Sequence, residues 1–189
     1  MTSRVTIEPI TDTVQIESAL SLVANVIEGP HHLNLSFLRS RNWAVVPVES
    51  GSHFIPEDAE LLSRALHSIE CSECLAIATE LLKNIDICYW VPTSKEGLLD
   101  FDYQCALFNF ALLSENISFV ILCTVADYYL VAGQADFVTR AVGKSLQAAR
   151  RDFLKFTTAW QDDVMRKYLR SVYKRYEPFN GDSDEQICK

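Results

Sequence analysis

Residues 118–133, SFVILCTVADYYLVAG, are almost wholly apolar, and a single aspartate, Asp127, interrupts them. Two apolar runs of strand length flank the sequence Val-Ala-Asp, which can turn the chain. The stretch is too short to cross a bilayer, because a membrane-spanning helix needs about 20 apolar residues and tolerates a central charge poorly. The pattern therefore predicts a buried β-hairpin with Asp127 at or near its turn, where a carboxylate can bond to nearby main chain.

A second pair of apolar runs, at 74–81 and 85–91, also has strand length and predicts another strand pair. A helix is predicted before each pair, over 56–69 and over 95–114, so a helix–strand–strand unit occurs twice. We therefore predict an α+β fold in which an antiparallel or mixed sheet of about 5–6 strands has helices packed on one face. The two αββ units form this sheet, and a long C-terminal helical arm follows them.

Three shorter patterns complete the predicted elements. Residues 43–48 predict a strand at a sheet edge, because Pro47 cannot donate a hydrogen bond to a neighbouring strand. Residues 31–37 alternate between apolar and polar side chains, which predicts a further strand. Asp12 is expected to cap a helix that ends before Gly29.

Charge is distributed unevenly along the chain, which has a net charge of −8. Residues 1–138 contain 6 Lys/Arg and 18 Asp/Glu, residues 139–176 contain 10 and 3, and residues 177–189 contain 1 and 4. We interpret the chain as one soluble globular domain with an acidic α+β body at 1–138, a basic amphipathic helical arm at 139–176 and a mobile acidic tail at 177–189. Nucleic acid is disfavoured as a partner, because the acidic body would repel phosphates.

Apolar residues recur every three or four positions along the arm, which predicts one apolar face over roughly six helical turns. They are Phe153, Phe156, Trp160, Val164, Tyr168, Val172 and Tyr176. We expect this face to be buried, either on the protein's own sheet or against a second copy of the chain. The rival interpretation is a partner-binding surface, for which the candidate residues are Arg166, Arg170, Lys174, Trp160 and Tyr168.

Six cysteines lie mostly beside apolar segments, and the N-terminus shows no apolar signal region, so we expect reduced thiols in a cytoplasmic protein. Cys71 and Cys74 form a Cys-x-x-Cys motif that offers three zinc ligands together with His67, one fewer than a structural zinc site needs. The motif follows a helix instead of opening one, so a helix dipole would not activate its first thiol. We therefore expect no metal and no cofactor.

Neither a nucleophile elbow nor a phosphate-binding loop occurs in the sequence. The first functional hypothesis is therefore a non-catalytic cytoplasmic protein-binding module of the inhibitor, immunity or adaptor type, whose acidic surface attracts a basic partner protein. The alternative is a small-molecule sensor or binding domain with a pocket between the sheet and helix 95–114, lined by Asp127, Tyr128, Tyr129 and Trp90. An enzyme of unknown class is the third hypothesis.

Overall fold

A computed structural model describes residues 7–51, 54–80 and 87–179. Within these ranges the chain forms one sheet of seven strands, in the order β1-β4-β3-β5-β6-β7-β2. Every neighbouring pair of strands is antiparallel. The strands are β1 (Glu8–Pro9), β2 (Ala44–Glu49), β3 (Glu73–Ala78), β4 (Cys88–Pro92), β5 (Phe110–Leu113), β6 (Phe119–Cys123) and β7 (Tyr128–Gly133).

Seven helices cover the sheet in the described part of the chain, which confirms the α+β fold class with one strand more than the predicted range. They are α1 (Thr13–Val26), α2 (Leu35–Ser40), α3 (Pro56–His67), α4 (Lys95–Cys105), α5 (Ala135–Val142), α6 (Leu146–Ala159) and α7 (Asp163–Tyr176). None of the helices within the described ranges is both long enough and apolar enough to cross a membrane.

The helices lie on both faces of the sheet, whereas the sequence interpretation placed them on one. α3, α4 and α5 pack with one face, and α1, α2 and α7 pack with the other. α6 lies along the edge strand β2 and contributes Ala149 to the first core and Phe153 to the second. The reason is visible in β6, where all five residues are buried and successive side chains enter opposite cores. A strand without polar residues has no side suited to water, so both faces of the sheet need a helical layer.

The hairpin predicted from residues 118–133 is confirmed as β6 and β7, with Cys123 opposite Tyr129. Asp127 lies in its turn with a φ of 60°, a conformation that aspartate adopts more readily than most residues. The Asp127 carbonyl accepts a hydrogen bond from the Ser50 N–H at 3.0 Å, which ties the turn to the end of β2. β2 lies at the edge of the sheet, as Pro47 predicted.

Two predicted elements are wrong. The helix predicted over 95–114 ends at Cys105, and residues 110–113 form β5 between β3 and β6 at the centre of the sheet. The second αββ unit therefore contains three strands. Residues 31–37 do not form a strand of the sheet, because Asn34 caps α2 through its side-chain oxygen. A short apolar run such as 110–113 fits a buried helix or a buried strand equally well, and there the pairing with β3 and β6 decided.

The arm is three helices, and it packs on its own sheet. Gly143 ends α5 with a φ of 65°, and Asp162 caps α7 after a break at Trp160. Phe153 and Tyr176 are fully buried, and Phe156, Trp160 and Tyr168 pack against the same core. Val164 is 78% exposed, so it does not belong to the buried face. Residues 180–189 of the predicted tail lie outside the described residues.

Candidate functional site

The four residues proposed for a pocket beside helix 95–114 do not converge. Tyr128 and Tyr129 are consecutive on β7 and enter opposite cores. Asp127 lies in the β6–β7 turn, and Trp90 lies on β4, which is separated from β7 by three strands. The Tyr128 hydroxyl is within 3.0 Å of the Tyr168 hydroxyl and donates to the His31 carbonyl at 3.2 Å. Tyr128 thus serves to join the arm to the sheet.

The five arm residues proposed for partner binding divide into two groups. Trp160 and Tyr168 are partly buried in the core beneath the arm. Arg166 pairs with Asp163 and donates to the Trp160 carbonyl, so it stabilises the start of α7. Arg170 and Lys174 are exposed, and Lys167 lies on the same face of α7 because these three residues are spaced i, i+3 and i+7. Of the five proposed residues, Arg170 and Lys174 are the two that are exposed to a partner.

The Cys-x-x-Cys motif has the properties of structural thiols. Cys74 is fully buried, and the Cys71 thiol donates to the Glu73 carbonyl at 3.2 Å. Burial raises the pKa of all five described thiols, that of Cys88 to about 11 and that of Cys105 to about 12. These thiols are protonated at neutral pH, whereas a nucleophile or a metal ligand must be a thiolate. No three His, Cys, Asp or Glu side chains in the described ranges are grouped to hold a metal ion.

Two carboxylates of α4 hold the main chain of distant segments. Asp100 is buried and accepts a hydrogen bond from the Ile7 N–H at 2.9 Å. Asp102 accepts one from the Phe54 N–H at 3.0 Å. Both side chains therefore have a structural role, in joining α4 to the N-terminal segment and to the entrance of α3.

A groove lined by carboxylates surrounds Trp90, at the end of the sheet where β3 begins and β4 and β5 end. It consists of two adjoining cavities, of about 390 and 240 Å³, that share Trp90 and Glu115. Glu70, Glu73 and Glu115 are exposed on its walls, and Trp90 is partly buried between the two cavities. No Lys or Arg occurs among the described residues that line either cavity. We call this feature the Trp90 groove.

Strand register explains why these carboxylates meet. Leu75 of β3 pairs with Leu113 of β5 and also with Trp90 of β4. Extending the β3–β5 register by two residues brings Glu73 opposite Glu115. The groove therefore depends on the pairing of segments about 40 residues apart, and on β5, which the sequence pattern assigned to a helix.

The turns around the groove are held by specific hydrogen bonds. The Thr93 hydroxyl donates to the Cys71 carbonyl at 2.6 Å, which fixes the end of β4 against the α3–β3 turn. In the β5–β6 turn, the Ser114 hydroxyl donates to the Asn116 side chain at 2.8 Å and accepts from the Ser118 N–H at 2.9 Å. The walls of the groove are thus preorganised, which lowers the entropy lost when a partner binds.

Sequence reasoning found Trp90 but assigned it to a different pocket, and it did not find Glu70, Glu73 or Glu115 as a group. The sequence signal for this group is that Glu70 and Glu73 flank Cys71 on either side. No protein-family model, curated protein or solved structure matches the chain.

Proposed function

We propose that the protein is a non-catalytic cytoplasmic binding module of the inhibitor, immunity or adaptor type, and that it captures a basic segment of a partner protein in the Trp90 groove. The observation that carries the proposal is the combination of a partly buried tryptophan with three exposed carboxylates, without a Lys or Arg among the described lining residues. Tryptophan is among the residues that contribute most to binding energy at protein interfaces. Carboxylates around it favour a partner that presents lysine or arginine.

The net charge of the whole chain also favours a basic protein as the partner. The net charge of −8 attracts a basic protein over distances of about 10 Å at an ionic strength near 0.1 M. Such attraction increases the association rate more than it increases the affinity. A module that must capture its target quickly, as an inhibitor or immunity protein does, benefits from this arrangement.

The state of the thiols and carboxylates supports a non-catalytic role in a reducing compartment. All five described cysteines are free, and four of them are buried. Burial raises the pKa of each thiol, and Asp100 and Asp102 are engaged with main-chain N–H groups. Buried free thiols persist most readily where the cell keeps cysteines reduced, which is why we place the protein in the cytoplasm.

The test compares two charge-reversed variants of equal net charge. Glu73→Lys/Glu115→Lys changes the groove, whereas Glu57→Lys/Glu177→Lys changes exposed carboxylates that do not line it. Each variant and the unchanged chain are immobilised, and proteins bound from extracts of the source cells are identified at about 50 and about 500 mM NaCl. We expect a basic protein that binds the unchanged chain and the control at low salt, and that is lost from the groove variant.

A third variant, Arg170→Glu/Lys174→Glu, tests the basic face of α7 in the same experiment. If this third variant no longer binds the partner while the groove variant still does, the binding surface is the arm and not the groove. Retention of the same partner by every variant at both salt concentrations would refute an electrostatic binding surface altogether.

A further inference from the structure

A second cleft, of about 370 Å³, lies at the opposite edge of the sheet from the Trp90 groove and at the opposite end of the strands. Its walls come from the end of β2, the first turns of α3, the α5–α6 turn and α6. Most of its lining is apolar, with contributions from Val48, Ile55, Leu61, Val142, Ala149 and Phe153. The volume lies at the lower end of the range for small-molecule sites, about 300–1,000 Å³.

The outer edge of β2 contributes main chain to this cleft. The Val45 N–H donates to the Phe179 carbonyl at 3.0 Å and the Val45 carbonyl accepts from Arg150 at 2.9 Å, so Val45 directs its main chain away from β7. Main-chain direction alternates along an antiparallel strand. Pro47 and Glu49 therefore also face away from β7, and both line the cleft. The Pro47 carbonyl is a hydrogen-bond acceptor on that side.

The side chains of the cleft carry an excess of negative charge. Glu49, Asp58 and Asp152 contribute three carboxylates, and Lys144 is the one cation among the described lining residues. The Lys144 ammonium lies 2.8 Å from the Asp152 carboxylate, so this pair is neutral as a unit. Glu49 and Asp58 account for the remaining charge, and Asp58 is the more deeply placed of the two.

Asp58 lies beside the buried Tyr129, at the inner end of the cleft. Burial, and to a smaller extent the Glu57 carboxylate, raise the pKa of Asp58 above its ordinary value of 3.8, although the Tyr129 hydroxyl, the Ile55 main chain and the Lys144 ammonium act in the opposite direction. Burial and the nearby Asp58 also raise the pKa of Tyr129, so this hydroxyl remains a neutral hydrogen-bond donor. The carboxylate is thus partly desolvated, and a further positive charge placed beside it would offset that cost.

We propose that this cleft binds a small organic cation, a primary amine on an apolar body. The ammonium group lies against the Asp58 carboxylate within reach of the Pro47 carbonyl, and the apolar body packs between Leu61 and Phe153. A neutral or anionic analogue of the same shape lacks the interaction with Asp58. The proposal is independent of the protein partner proposed above, because the two sites share no lining residue.

Three probes of similar shape test the proposal on the unchanged chain: phenethylamine, 2-phenylethanol and 3-phenylpropionate. Binding is followed at pH 7 by the shifts of main-chain amide signals in ¹H–¹⁵N NMR spectra. We expect phenethylamine to move the signals of Ser50, Leu61 and Val142 at about millimolar concentration and the other two probes to bind about tenfold more weakly. Equal binding of all three, no binding, or shifts confined to other parts of the protein would overturn the proposal.

Two variants give the matched comparison. Asp58→Asn should weaken phenethylamine binding about tenfold or more, whereas Glu60→Gln, on the same helix but outside the cleft, should leave it unchanged.

If Asp58→Asn fails to fold, the pH dependence of phenethylamine binding to the unchanged chain replaces this comparison. Phenethylamine affinity should then fall as the pH decreases through the pKa of Asp58, since protonation removes the anion, while 2-phenylethanol binding stays constant. Unchanged amine affinity in the variant, or across that pH range, would overturn the proposal.

Discussion

At the scale of single residues, Arg150 is the buried charge with the widest set of main-chain contacts. It is 6% exposed, and its guanidinium donates to the carbonyl oxygens of Val45, Tyr176 and Phe179. These oxygens belong to the edge strand β2, the end of α7 and the segment that follows it. One side chain thus holds the arm to the sheet, and the C-terminal end of a helix is a favourable place for its positive charge.

Replacing Arg150 should therefore be costly. Arg150→Met leaves three carbonyl oxygens without this donor in a buried place, and we expect the free energy of unfolding to fall by about 2–4 kcal/mol. The neighbouring Arg151 is exposed, so Arg151→Met is the matched control and should change stability by less than about 0.5 kcal/mol. Urea denaturation measures both, and equal effects of the two substitutions would contradict this account of Arg150.

At the scale of elements, Gly143 separates α5 from α6, so the arm changes direction there and does not continue as one helix. Its φ of 65° ends α5 in the left-handed conformation, and Ser145 caps α6 two residues later. The turn between them also forms one wall of the cleft at β2, through Lys144. An uninterrupted helix could not bring both α5 and α6 onto the sheet, because α5 packs on one face whereas α6 runs along the edge strand β2 and contributes Ala149 to that core and Phe153 to the other.

A side chain at this turn should destabilise the protein. A Cβ on Gly143 would lie 2.9 Å from Leu61 Cδ1, and the left-handed conformation adds strain for any residue other than glycine. We expect Gly143→Ala to lower the free energy of unfolding by about 1–3 kcal/mol. Gly51→Ala is the control, because a Cβ there meets no atom within 4 Å. Thermal unfolding of both variants gives the comparison, and a neutral Gly143→Ala would show that the turn can relax.

At the scale of the whole molecule, the arm completes the core on one face of the sheet. Phe153, Leu169 and Tyr176 are fully buried by contacts within the chain, so the apolar face of the arm needs no second copy to cover it. The Tyr176 hydroxyl accepts a hydrogen bond from the Leu33 N–H at 2.9 Å, which links α7 to the loop before α2. The arm and this face of the sheet therefore share one core.

This arrangement predicts a monomer. Size-exclusion chromatography with light scattering should give a mass near 21.4 kDa at both low and high salt. Trp160→Ala and Tyr168→Ala should each lower stability without changing that mass, since both residues pack within the chain. A dimer that persists at high salt would contradict this expectation, and it would direct attention to an apolar surface outside the arm.

Much of the fold could be predicted from local patterns, whereas the candidate sites could be predicted only in part. The β6–β7 hairpin, the edge position of β2 and the cap at Asp12 each depend on a few adjacent residues, whose conformational preferences act at short range. Residues 110–113 were assigned to a helix because a short apolar run has no periodicity that distinguishes a buried strand from a buried helix. Trp90 and Tyr129 were both candidate site residues, and each lines a different cavity.

By itself the sequence determined the fold class, the apolar strands and the uneven distribution of charge, because these depend on composition and on the spacing of neighbouring residues. Only the tertiary structure decided which carboxylates share a groove and on which face of the sheet each helix lies. Glu73 and Glu115 lie in the same groove because β3 pairs with β5. Asp58 contacts Tyr129 because α3 packs on the face of the sheet to which Tyr129 of β7 points. Such contacts join segments far apart in the chain, and they form only when the burial of apolar surface outweighs the entropy of closing those loops.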